Sequence, residues 1–133
     1  MVDGRWHDRS NPRTKITSFE DLEVWREAQN LAVLVYKTTE SFPANEQFAL
    51  TNQIRRAASS ISANIAEGFG RVSLNDKLHF YTMAYGSLLE TKNFAYLSAR
   101  LSYISEPQLE QLLAQSVLCQ KFINALKRSL KHA

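Results

Sequence analysis

The chain of 133 residues predicts an all-α protein, an antiparallel up-down-up-down four-helix bundle. Three observations carry that expectation. Apolar residues recur at helical spacing through four long segments, and no stretch reads as a strand. Capping signatures precede these segments, and glycine or proline closes or opens them. The connections are short, which forces sequential helices to run antiparallel.

The first helix opens at Ser18 and Asp21, a pair with capping-box spacing, and carries Leu22, Trp25, Ala28, Ala32, Val35 and Thr39 before Phe42 and Pro43 stop it. A second helix begins near Asn45, lines up Leu50, Ile54, Ala57, Ala58, Ile61 and Ile65, and ends at Gly68 and Gly70, where glycine suits a helix C-terminus. Ser73 with Asp76 repeats the capping pattern for a third helix through Leu78, Tyr81, Tyr85, Leu88, Ala95 and Ala99 to about Ser102. Ser105, Pro107 and Gln108 start a fourth, with Leu109, Leu112, Leu113, Val117, Ile123 and Leu130 on its apolar face. Residues 1–17 read as a flexible basic arm and residues 18–133 as one bundle domain.

Composition bounds the function. The chain is 44% hydrophobic and 22% charged, with no run near the roughly 18 apolar residues of a membrane span and no apolar N-terminal run of a secretory signal. A cytoplasmic protein without a membrane partner is expected. Cys119 is the single cysteine, which leaves no intrachain disulfide and points to a core thiol. The net charge is +3, and it is unevenly spread. Residues 19–43 hold five acidic groups against two basic ones, while residues 105–133 hold four basic against two acidic. A polyanion would therefore meet the second half of the chain or the arm.

The stretch QIRRAASSISANIAEGFGR, residues 53–71, is the most unusual. At ~100° per residue, Ile54, Ala57, Ala58, Ile61 and Ile65 share the core face, and Arg56, Ser59, Ser60, Ala63 and Glu67 lie on roughly the opposite side. That second face is small and polar, which suits the close approach of another helix, so these five residues are the expected oligomer interface. Arg56 and Glu67 stand about 16 Å apart along the axis at ~1.5 Å per residue, too far to pair, and each is expected to find a partner elsewhere. Arg55 points about 100° away from Arg56 and is the better placed of the two for phosphate.

At these residues the chain resembles a known family. FEDLEVWREA (Phe19 to Ala28), QIRRAASSISANIAEGFGR and AYGSLLE (Ala84 to Glu90), in this order, are similar to the four-helix bundle proteins encoded within intervening sequences of bacterial 23S rRNA genes. The same family includes the accessory variability determinant of diversity-generating retroelements. The resemblance spans residues 18 to about 131 and thins beyond Glu90. It implies a cyclic homo-oligomer, typically a pentamer, with a basic surface and no enzymatic activity. In the retroelement branch it implies an RNA- and reverse-transcriptase-binding accessory role.

The leading functional expectation is a noncatalytic oligomer that binds nucleic acid, namely structured RNA. Five copies of a +3 chain would carry about +15, and phosphate affinity rises steeply with the number of phosphates neutralised. The expected contacts are Arg55 and Arg71 on the second helix and Lys121, Lys127, Arg128 and Lys131 on the fourth, where the spacing forms two neighbouring stripes. A protein-interaction scaffold, such as an accessory subunit for a reverse transcriptase, is the alternative. Enzyme chemistry is poorly served. His7, His79 and His132 form no metal-binding pattern, so no metal or cofactor is expected. Glu23 and Glu27 share a face without a matching acidic pair on another helix. A HEPN-type ribonuclease places four to six residues between its arginine and histidine, and Arg71 and His79 have seven between them.

Overall fold

A computed structural model of the chain describes residues 15–131, so most of the expected arm, with His7, and His132 at the other end lie outside the described residues. Four helices build the fold: α1 (Glu23–Thr38), α2 (Leu50–Phe69), α3 (Leu74–Arg100) and α4 (Glu106–Lys131). Among the described residues there is no strand.

The capping signatures are realised with one displacement. Ser73 accepts from the Asp76 amide at 3.1 Å at the start of α3. At the start of α4, Ser105 and Gln108 form a reciprocal box, the Ser105 amide donating to Gln108 Oε1 at 2.8 Å and the Gln108 amide to Ser105 Oγ at 3.3 Å. The Ser18–Asp21 box instead closes a single 3-10 turn over Phe19–Asp21, where Asp21 accepts from the Ser18 and Thr17 amides. Leu22 then takes extended angles and buries itself, so α1 begins only at Glu23. The second helix also starts later than its sequence suggests. A 3-10 turn spans Ala44–Glu46, and α2 begins at Leu50 after Ala49 leaves helical geometry at φ −122 and ψ −107.

Helix ends differ in their chemistry. α3 finishes in a Schellman arrangement: the Tyr103 amide donates to the Ser98 carbonyl at 2.9 Å and the Ser102 amide to the Ala99 carbonyl at 3.0 Å. Ser102 holds φ 62, the left-handed position that glycine normally fills. At the end of α2, by contrast, neither glycine needs unusual angles. Gly70 sits at φ −78 and ψ −7, and Lys77 Nζ caps the last carbonyls, 2.7 Å from Phe69 O. Gly68 is required by space. A Cβ built there would lie 2.7 Å from Tyr81 Cε1 and 2.9 Å from Phe80 Cβ, well inside contact distance.

Polar bridges tie each pair of adjacent helices and show how they run. Gln29 reaches Ser62 at 2.9 Å while Arg55 reaches Thr39 at 2.8 Å, so α1 and α2 are antiparallel. Ser60 donates to Ser87 at 2.7 Å while Gly68 meets Tyr81, so α2 and α3 are antiparallel too. Gln120 bridges α4 to the Tyr85 hydroxyl on α3 at 3.2 Å, and Gln115 and Cys119 both donate to the Glu27 carbonyl on α1. The α3–α4 turn closes the same end as the α1–α2 turn, where Tyr103 donates to Glu46 at 2.9 Å and packs its ring against Phe42.

The core contains Val24, Ala28, Leu31 and Val35 of α1, Ile54, Ala58, Ile61 and Ile65 of α2, Ala84, Leu88 and Ala95 of α3, and Leu109, Leu112, Cys119 and Ile123 of α4. Trp25 and Ala32, expected on the inner face of the first helix, flank it instead. Val117, expected on the inner face, is exposed, and the helix phase turns Ser116 to the core in its place, where local hydrogen bonding makes a hydroxyl tolerable. Ser116, Ser98 and Thr91 each donate to the carbonyl four residues back, at 2.7, 2.7 and 2.8 Å.

The two glycines of α2 should therefore separate. Gly68→Ala forces Tyr81 and the α3 backbone outward and is expected to lower stability by about 1–3 kcal/mol. Gly70→Ala meets only ordinary contacts, the nearest 3.6 Å away, and is expected to change stability by less than about 0.5 kcal/mol. Denaturant unfolding of both variants checks this, and equal effects would contradict it.

Candidate nucleic-acid interface

The last turns of α4 follow a core stripe that ends in Cys119 and Ile123, with Leu126 and Leu130 half-buried beyond it. That stripe turns Lys127, Arg128 and Lys131 toward the first turns of α3, which lie alongside because the two helices are antiparallel. The result is a groove of about 400 Å³ lined by Leu78, Thr82, Asn124, Lys127, Arg128 and Lys131. Lys127 Nζ lies 5.4 Å from the centre of the Tyr85 ring, whose hydroxyl Gln120 holds in place. Among the described residues, no carboxylate lines the groove. A helix C-terminus offers about half a negative charge, which three cations more than offset, so the groove keeps a positive surplus. Hydroxyl, amide and cations together form a donor set suited to phosphate oxygens.

The other expected contacts are distributed differently. Lys121 is exposed but does not line the groove. Arg55 is committed within the chain: its Nε donates to Thr39 Oγ1 at 2.8 Å, one Nη to the Tyr36 carbonyl at 3.3 Å, and its guanidinium lies 4.7 Å from the Tyr36 ring centre. Arg71 pairs with Glu67 at 2.9 Å and covers the Phe80 ring at 4.6 Å. Within the chain, Glu67 thus finds its partner in Arg71, four residues on. Arg55 and Arg71 mark opposite ends of α2, about 24 Å apart along its axis.

Of the expected interface residues, Arg56, Ser59, Ala63 and Glu67 are exposed. Ser60 is half-buried in the α2–α3 seam, bonded to Ser87. Arg56 shares a hollow of about 400 Å³ with Gln53, Ala57, Ser60 and Glu90, so an acid of its own chain faces the same space. α3 turns Met83, Leu89, Tyr96 and Leu97 outward, and Leu101 follows at its end, each more than two-fifths exposed. Both sides of α3 are therefore rich in apolar residues.

The remaining chemistry is quiet. Burial first, then the charge of Glu27, pushes the Cys119 thiol up to about 12, which keeps it protonated at neutral pH. Burial raises Tyr81, and the hydrogen bond to Glu46 is the main cause that raises Tyr103. Among the described residues, no group of three His, Cys, Asp or Glu side chains is placed to hold a metal ion. None of their helices is long and apolar enough to cross a membrane.

A family model described as 23S rRNA-intervening sequence protein matches residues 20–125. The chain belongs to that family. A solved structure from Bacteroides thetaiotaomicron VPI-5482, described as a protein of unknown function from the S23 ribosomal protein family, is similar to this intervening-sequence family member. It superposes with a TM-score of 0.72 at 25% identity, covering 79% of this chain and 95% of that one. No curated protein matches. The family match takes in α1 to α3 and most of α4 but ends before Lys127, so the three cations of the groove lie beyond the matched residues of the intervening-sequence protein.

Asn124 was legible from sequence, being three, four and seven residues from Lys127, Arg128 and Lys131, and was overlooked among the charges. Thr82 and Leu78 join the groove only through the register of α3 against α4, which no local pattern encodes.

A pH dependence follows from the buried thiol. Its folded pKa lies above the ordinary value of 9.0, so its contribution to stability is complete below about pH 9 and is lost as pH rises toward about 12. Unfolding free energy is expected to decline over that window, and Cys119→Ala should make the decline shallower. An unchanged slope in the variant would contradict the assignment.

Proposed function

We propose that this protein is a noncatalytic homo-oligomer that binds structured RNA through its phosphate backbone, with the α3–α4 groove as the contact. The observation that carries the reading is the groove itself: Lys127, Arg128 and Lys131 converge with Asn124 and Thr82, and no acidic side chain among the described residues shares the lining. Membership of the 23S rRNA-intervening sequence protein family supports an RNA setting without naming a ligand. Self-association uses the outward faces of α2, with its small exposed residues Ser59 and Ala63, and of α3, with its exposed apolar residues. Repetition of the groove around a ring, a pentamer by the family resemblance, then multiplies weak single contacts. The same apolar face favours a second reading, a scaffold on which another protein such as a reverse transcriptase docks.

Two measurements test this. Neutralising Lys127, Arg128 and Lys131 together with glutamine should weaken binding to an RNA hairpin and lower the slope of log affinity against log salt by roughly 2–3. An unchanged slope would remove the groove from the interface. Sedimentation at micromolar concentration should give a species several times the 15.2 kDa chain, shifted toward monomer by Leu97→Asp. A monomeric parent would leave the apolar face to a different protein.

A further inference from the structure

A second hollow, of about 310 Å³, opens where the end of α1 meets the start of α2, on the opposite end of the bundle from the basic groove. Tyr36, Phe48, Thr51, Asn52, Arg55 and Arg56 line it. Its composition is distinctive. Phe48 is 88% exposed, in the turn before α2, and packs against no other ring among the described residues. Beside it, the guanidinium of Arg55 is held over Tyr36, 4.7 Å from the ring centre, by its bonds to Thr39 Oγ1 and the Tyr36 carbonyl, and its Nη1 has no partner among the described residues. The Thr51 residue is only 7% exposed, and its hydroxyl has no hydrogen-bond partner there. Asn52 adds an exposed amide, and Arg56 an exposed cation.

We propose that this hollow takes one unpaired nucleobase of a bound RNA strand. The inference rests on the reading of the protein as an RNA binder and adds to it a place for single-stranded RNA. An exposed aromatic ring and an immobilised guanidinium plane are the surfaces on which unstacked bases stack, and every base offers a π-face to them. The Asn52 amide supplies a donor and an acceptor for a base edge, as few other side chains do. Arg56 faces the same hollow and neutralises the adjoining phosphate. The Arg55 clamp matters energetically, because a guanidinium already fixed over Tyr36 loses little freedom when a base arrives. The hollow is built from both α1 and α2, so it exists only in the folded chain, and among the described residues no carboxylate lines it.

The test uses the full chain and three labelled probes of equal length: single-stranded oligoadenylate RNA, an abasic strand with the same phosphodiester charge, and a hairpin duplex. The parent is expected to bind oligoadenylate roughly tenfold more tightly than the abasic strand, the gain of one stacked base. Phe48→Ala should abolish that preference while leaving the salt slope and the hairpin affinity unchanged, and Phe48→Trp should retain it. Phe48 is almost wholly exposed, so thermal unfolding of Phe48→Ala should match the parent. A parent that binds both single strands equally, or a Phe48→Ala variant that keeps the preference, overturns the inference while the backbone reading stands. Loss of assembly in Phe48→Ala with the preference intact overturns it in favour of a contact between copies. Failure of the parent to bind any of the probes overturns both readings.

Discussion

The close approach of α2 to α3 at Gly68 is the constraint from which the rest of the bundle follows. With no Cβ at that position, the α2 backbone rests against the ring of Tyr81, which is 2% exposed. Ala57, Ala58 and Ala84 keep the same seam narrow, and the Ser60–Ser87 bond fixes its register. Once α3 is placed against α2, Tyr85 is placed to accept from Gln120 on α4, and Thr82 comes to lie beside Asn124 and Lys127. The basic groove is therefore a product of packing in the neighbouring seam, away from its own charges.

The same geometry sorts the charges. α4 touches α1 through Gln115 and Cys119 and turns its last cations toward α3. Residues 19–43, which include α1, instead hold five of the chain's thirteen acidic groups against two basic ones. A modest net charge of +3 thus separates into a positive groove between α3 and α4 and an acidic surplus along residues 19–43. Such separation lets a small domain attract a polyanion in a defined orientation, which a uniform surplus would not do.

How much of this was legible in the sequence depends on the range of the interaction concerned. The boxes at Ser73 and Ser105 were readable because a cap involves residues three apart, and both are formed. The core face of α2 was readable because glycine, alanine and isoleucine recur with helical period. Gly68 was visible as a glycine, but its reason was not: a turn and a close approach look alike until the ring opposite is known. Arg55 and Arg56 are adjacent in sequence and differ in fate because Thr39 and Tyr36, sixteen and nineteen residues earlier, capture only the first. The outward apolar face of α3 was hidden by its own composition, since a helix apolar on two sides shows no single stripe. Phe48 carried no periodic signal at all, being a turn residue whose exposure only the fold reveals.

The central claim is that RNA lies in the α3–α4 groove, and amide and side-chain NMR of the labelled protein with an unlabelled RNA hairpin tests it most directly. The account predicts that the largest shifts cluster at Thr82, Asn124, Lys127, Arg128 and Lys131, with the acidic face of α1 unmoved. Shifts centred on α1, or a spectrum that leaves those five residues unchanged at saturating RNA, would contradict it.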